Sequence, residues 1–155
     1  MSEHATPSAI PGGDRIEISV PLRTDYLATL RTMAAALGAD AGFSIDEIDD
    51  MRLAISEVVS SLVDAAESDG AVDAHAERLD AIFEVANAGI IVSISARDGV
   101  TDVELDELAS GILGSVVDRH DIVGGTVTLV KRPAEAAESR AGGGSDSDHP
   151  SQPGA

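Results

Sequence analysis

The sequence predicts an α/β (α+β) two-layer sandwich, a single mixed β-sheet covered on one face by three helices. Three observations predict it. Short segments alternate apolar and polar residues, as half-buried strands do. Longer segments repeat apolar residues at helical spacing. The order of elements is βααββαβ in a chain of 155 residues, enough for one domain of ordinary size. With so few strands, one sheet covered on one face is the economical arrangement.

The first element is RIEISV at 15–20, which puts Ile16, Ile18 and Val20 on one face and is ended by Pro21. In TDYLATLRTMAAALG, the spacing of Leu27, Leu30, Ala34 and Leu37 predicts a helix; Thr24 or Asp25 caps its start and Gly38 its end. Ser44 and Glu47 form a capping box for a second helix. Its apolar stripe is Ile48, Met51, Ile55, Val58, Val59, Leu62 and Ala66, running through about residue 67, and a polar loop covers 68–77. Segments 79–85 and 90–96 both alternate and flank Ala86–Gly89, which predicts a hairpin. Thr101 and Glu104 form a second capping box, and Leu105, Leu108, Ile112, Leu113 and Val116 carry a third helix to about Asp118. Gly111 and Gly114 are costly inside a helix, so this one is expected to begin late or break there. The last strand is 125–131, with Val127 and Leu129 on one face, and Pro133 closes the domain.

Composition narrows the function. Aromatic residues make up 2% of the chain, so the core must be aliphatic, and there is no cysteine for disulfides or thiolate metal sites. His4, His75, His120 and His149 are scattered and indicate no metal cluster. No signal peptide and no apolar run of membrane-spanning length is readable, so a cytoplasmic protein with no membrane partner is expected. Ten basic residues against twenty-eight acidic ones give a formal charge of −18 and argue against nucleic acid as a partner. Such a surface serves solubility and also favours basic partners. Residues 1–13 and 133–155 are small, polar and rich in Gly and Pro; they are expected to be a disordered arm and tail around a folded domain at 14–132.

Three strings carry a resemblance to a known family. DYLATLRTMAAAL, FSIDEIDDMRLAISEVVSSLVDAA and LASGILG, followed by the GTVTLVKR strand, resemble the anti-sigma branch of the GHKL (Bergerat-fold, histidine kinase-like) ATPases over about residues 15–132. The second string is the specific one and is similar to the family's N-box helix. The resemblance implies a Bergerat-type fold, a homodimer, sequestration of an RNA polymerase sigma factor, and release by a STAS-type anti-anti-sigma partner. It also implies a partner-binding role for Arg31, whose plain reading is a helix-surface arginine.

The resemblance further assigns an ATP/Mg site, residue by residue. Glu57 stands at the position of the catalytic base, and Ser61, four residues on, replaces the asparagine that binds Mg²⁺. Residues i and i+4 share a helix face, so both side chains point the same way. A solvated polar face shared with Asp64 is the plain reading of this pair. In the first glycine box Ala96 replaces the adenine-binding aspartate in one register, whereas Asp98 and Gly99 serve in a shifted one and otherwise read as a turn. The second glycine box keeps Gly111 and Gly114 but has Ile112 where another glycine is common. These departures predict a vestigial nucleotide site and no cofactor. The alternatives are an active ATP-dependent serine kinase that phosphorylates an anti-anti-sigma factor, and a pseudo-enzyme that keeps nucleotide as a structural ligand.

Overall fold

The computed structural model describes residues 13–68, 77–97 and 102–134. Strand β1 (Asp14–Pro21) leads through a 3-10 turn (Thr24–Tyr26) into α1 (Leu27–Asp40) and α2 (Ile45–Ser68). Then come β2 (Arg78–Ala86), β3 (Gly89–Arg97), α3 (Glu107–Val116), β4 (Arg119–Val123) and β5 (Thr126–Lys131). The strands form one five-stranded sheet in the order β1-β2-β3-β5-β4. The predicted arm and tail lie almost wholly outside the described residues.

The two-layer α+β sandwich is present, with one correction: every pairing is antiparallel, so the sheet is not mixed. The physical reason is a strand that the sequence reading missed. β3 and β4 run the same way, but the hairpin formed by β4 and β5 folds β5 back between them. β4 escapes a periodicity search because its residues, RHDIV, are polar or exposed, with Val123 78% accessible.

The alternating strands put Leu79, Ala81 and Phe83 of β2, Ile90, Val92 and Ile94 of β3, and Val127 and Leu129 of β5 on one buried face. Helix α2 lays Met51, Ala54, Ile55, Val58, Val59 and Leu62 into that core, and α1 adds Leu30 and Ala34. The central helix is α2, which packs against both α1 and α3. Burying an aliphatic side chain of this kind contributes roughly 1.5–3 kcal/mol, so this layer contact dominates the stability.

The ends of the helices differ instructively from the sequence signals. At α1, Gly38 is not the cap but a buried contact point: a Cβ there would lie 3.1 Å from Ile48 Cγ1 and 3.3 Å from the Phe43 ring. The cap falls at Gly42, whose φ of 84° suits glycine. Gly42 N–H donates to the Ala39 carbonyl at 3.2 Å and Phe43 N–H to the Gly38 carbonyl at 2.9 Å, a Schellman pair. At α2 the predicted capping box is formed: Ser44 N–H donates to Glu47 Oε2 at 2.8 Å and Glu47 N–H to Ser44 Oγ at 3.2 Å. Of the predicted Thr101–Glu104 box, Thr101 lies outside the described residues, and α3 starts late, at Glu107. Asp106 is the cap, and its Oδ1 accepts from Ala109 N–H at 2.7 Å. The helix then runs unbroken through Gly111 and Gly114.

The far end of the sheet is tied to the helices by Lys131, which is the only lysine in the chain. Its Nζ donates to the Val116 carbonyl at 2.7 Å, at the C-terminal end of α3, and lies 3.3 Å from Asp50 Oδ2 on α2. Glu47 adds a second tie by accepting from Ala134 N–H. Burial pushes the Glu47 carboxyl up, but the donors at Ser44 and Ala134 and the nearby Lys131 charge outweigh it and hold the carboxyl below its usual value.

Two predictions follow from these local features. Glu47 is more acidic folded than unfolded, so its stabilisation is present above the ordinary glutamate pKa of about 4.3 and is lost as pH falls through the lower folded value. Glu47→Gln should therefore be less stable than wild type at neutral pH and converge on it in acid, as measured by urea melts across pH. Glycine scanning should split in sign. Gly89 has φ 140°, and a Cβ there would sit 2.3 Å from the Lys131 carbonyl oxygen, so Gly89→Ala should destabilise. Gly111 and Gly114 face open space in a helix, so alanine at either should raise stability by about 1 kcal/mol.

Candidate functional site

The apolar stripe of α2 fixes which of its faces looks outward. With Val58, Val59 and Leu62 buried, Glu57 and Ser61 are left half-buried and Asp64 exposed. Beyond them, the segment 102–106 leads into α3 and is pinned to the β4–β5 turn by Val103 N–H donating to the Gly124 carbonyl at 3.3 Å. Between helix and segment lies a cleft of about 410 Å³, whose described lining is Ser61, Asp64, Ala65, Ser68, Asp102, Glu104 and Asp106.

The structure therefore gathers some of the predicted positions and leaves others aside. Ser61 opens on the cleft, whereas Glu57 is not among its lining residues. Gly111 and Gly114 sit inside α3, where the helix ladder uses their N–H groups, and neither has a positive φ. Asp98 and Gly99 lie outside the described residues. Sequence reasoning missed the four carboxylates of the cleft: Asp64, Asp102, Glu104 and Asp106. The signal was available in the acidic run 102–107, but only the fold brings that run opposite Asp64.

The chemistry of this lining is one-sided. No Lys or Arg is among the described lining residues, so nothing there offsets a polyphosphate. Neither do the carboxylates converge: among the described residues no group of three or more acidic or histidine side chains could hold a metal ion. The described lining thus offers carboxylates and hydroxyls, and no basic side chain of the kind that meets the phosphates of Mg·ATP.

Arg31 lies elsewhere, on α1, off the stripe of Leu27, Leu30, Ala34 and Leu37. It is half-buried, and its Nε is shielded from solvent with no hydrogen-bond partner. By contrast, Arg15, Arg23, Arg52, Arg97 and Arg119 all pair with carboxylates. A buried N–H without an acceptor costs about 1–3 kcal/mol. Around it, the helical layer is strongly acidic. Residues 22–68 and 102–118 hold fourteen carboxylates against three arginines, a net charge of −11.

A long central helix whose polar face opens on a cleft, backed by an antiparallel five-stranded sheet, defines a two-layer α+β domain. Comparison with known proteins makes this particular. Over 50 residues the chain is 36% identical to the serine-protein kinase RsbW of Bacillus cereus (strain AH187), a stretch covering 32% of this chain and 31% of that protein. RsbW of Bacillus thuringiensis (strain Al Hakam) and of Bacillus anthracis (strain CDC 684 / NRRL 3495) matches at the same 36%, with the same coverage of 32% and 31%. The match thus spans about a third of these relatives, and the chain is homologous to RsbW there. The fold matches the crystal structure of the RsbU and RsbW domains of Rv1364c from Mycobacterium tuberculosis, with a TM-score of 0.57 and 20% identity, over 77% of this chain and 32% of that one. No family model matches the chain.

Asp106 makes the site testable at the level of structure. Asp106→Ala should cost about 1 kcal/mol by removing the cap of α3, while Glu104→Ala, which makes no described hydrogen bond, should cost nothing measurable in thermal melts.

Proposed function

We propose that the protein is an anti-sigma regulator that captures an RNA polymerase sigma factor by protein–protein contact, and that a STAS-type anti-anti-sigma partner relieves the capture. The observation that carries this reading is the sequence match to RsbW. The surface of the helical layer supports it. Unpartnered Arg31 supplies a directional contact, and the net −11 around it favours a partner with a basic surface. Exposed Tyr26, Ile45 and Leu53 on the same layer offer apolar area for the contact. The described helices include none long and apolar enough to cross a membrane.

Capture on this reading needs no nucleotide. The acidic cleft beside Ser61 repels a triphosphate, so ATP and Mg²⁺ are not cofactors and Glu57 has no phosphoryl group to act on. A second reading, an ATP-dependent serine kinase acting on the anti-anti-sigma partner, is favoured by the name of the RsbW relatives. The same cleft speaks against it, and against nucleotide as a structural ligand.

The test is co-expression with each sigma factor of the source organism, followed by co-purification and run-off transcription. One sigma factor should be retained and inhibited without nucleotide, and less tightly as salt rises. Arg31→Glu should weaken capture at least tenfold while leaving the fold intact by far-UV circular dichroism, since Arg31 lies off the core stripe. Retention of no sigma factor contradicts the reading, and so does stoichiometric phosphate transfer to a STAS protein.

A further inference from the structure

Two arginines of the helical layer share an unsatisfied atom. Among the described residues three shielded side-chain nitrogen or oxygen atoms have no hydrogen-bond partner: Arg31 Nε on α1, Arg52 Nε on α2, and Oε2 of Glu77, just before β2. Arg52 meets Asp49 at 3.3 Å, but only through Nη1. Arg31 pairs with no described carboxylate. The packing of α1 on α2 places both arginines on one groove. The two helices, joined by residues 41–44, run antiparallel and meet at Gly38 and Ile48, where a Cβ on Gly38 would lie 3.1 Å from Ile48 Cγ1. Arg31 stands two turns before Gly38 on the same face of α1. Arg52 stands one turn after Ile48 on the same face of α2. Each therefore projects from the flank that looks toward the other helix. Along the helix axes they are three residues apart, about 4.5 Å. The α1 side chains beside them are small, with Ala34 fully buried and Ala35 half-buried. Ile45, two turns before Arg52 on its face, and Leu53 next to it are both exposed.

We infer that Arg52 is a second partner-binding residue, and that Arg31 and Arg52 together clamp one carboxylate side chain of the captured protein. The inference rests on the sigma-capture reading and adds to it a residue and a ligand chemistry. A guanidinium offers its Nε–H and one Nη–H as a fork that fits the two oxygens of a carboxylate. In both arginines the Nε side of that fork is the part without an acceptor. A surface arginine ordinarily keeps this N–H hydrated; here shielding withholds the water, and a carboxylate that supplies the missing bond removes a standing cost. Both residues remain partly exposed, so a small turn of either side chain brings its fork to the mouth of the groove. The surrounding charge narrows the occupant. The net −11 of the helical layer repels a free anion or an acidic protein, so the carboxylate has to arrive on a body that is basic overall. Exposed Ile45 and Leu53 give that carboxylate apolar neighbours. The segment that fits is one acidic residue flanked by apolar ones.

The test compares dissociation constants of the full chain and its variants for the sigma factor it retains. Arg52→Ala should weaken capture at least tenfold with an unchanged far-UV spectrum. Arg52→Lys should weaken it nearly as much, because lysine keeps the charge and loses the fork. Arg23→Ala removes the same charge from the same layer, but Arg23 is already paired with Asp25, so capture should change less than twofold. Because one carboxylate serves both arginines, Arg31→Ala combined with Arg52→Ala should lose less than the product of the two single losses. Unchanged capture by Arg52→Ala, or full capture by Arg52→Lys, overturns the inference and leaves sigma capture standing. A double loss equal to the product of the single losses, or larger, does the same. Retention of no sigma factor overturns the capture reading and the clamp with it.

Discussion

The contact between the stripe of α2 and the inner face of the sheet is the constraint on which the rest of the structure depends. Met51, Ile55, Val58 and Leu62 are at most 2% exposed and meet Phe83, Ile90, Ile94 and Leu129. With two phenylalanines, one tyrosine and no tryptophan in the chain, the core is filled by aliphatic side chains at close packing. Fixing α2 in rotation fixes every outward position on it. Ser61 and Asp64 must face the segment before α3, and the flanking helices must take the two sides. The cleft and the outward face of the helical layer are both consequences of that one buried seam.

Charge follows the same division. The strands balance their charges, while the helical layer collects the excess of carboxylates. Segregation of this kind gives one molecule two unlike surfaces. One is strongly acidic, with a field that salt screens; the other is balanced in charge. In this layer Arg23 and Arg52 pair with carboxylates, whereas the shielded Nε of Arg31 has no hydrogen-bond partner.

Most of the fold was legible in the sequence because its signals are periodic. The α2 stripe was read residue for residue, apart from Ala54, and the hairpin of β2 and β3 was placed within a residue or two. What failed were features decided by tertiary context. β4 has no apolar face of its own and exists because β5 pairs with it. Gly38 looked like a cap, but its lack of a side chain serves the approach of Ile48, and the cap lies four residues on. The capping residue of α3 is Asp106, since the segment from 102 is held by Gly124 rather than by the helix. The site was legible only as a set of departures from a motif. The acidity of the cleft comes from residues about forty positions apart in the chain, and no local pattern joins them.

The central claim is that the site beside α2 has become an acidic cleft and that the protein works by contact alone. A titration of the full chain with Mg·ATP, followed by melting temperature and by amide chemical shifts, tests it most directly. Ligand that binds the native state must raise the melting temperature by mass action. The account predicts no rise and no shift changes at Glu57, Ser61 or residues 102–116 at millimolar nucleotide. A saturable rise in melting temperature, with shifts clustered at those residues, would contradict it.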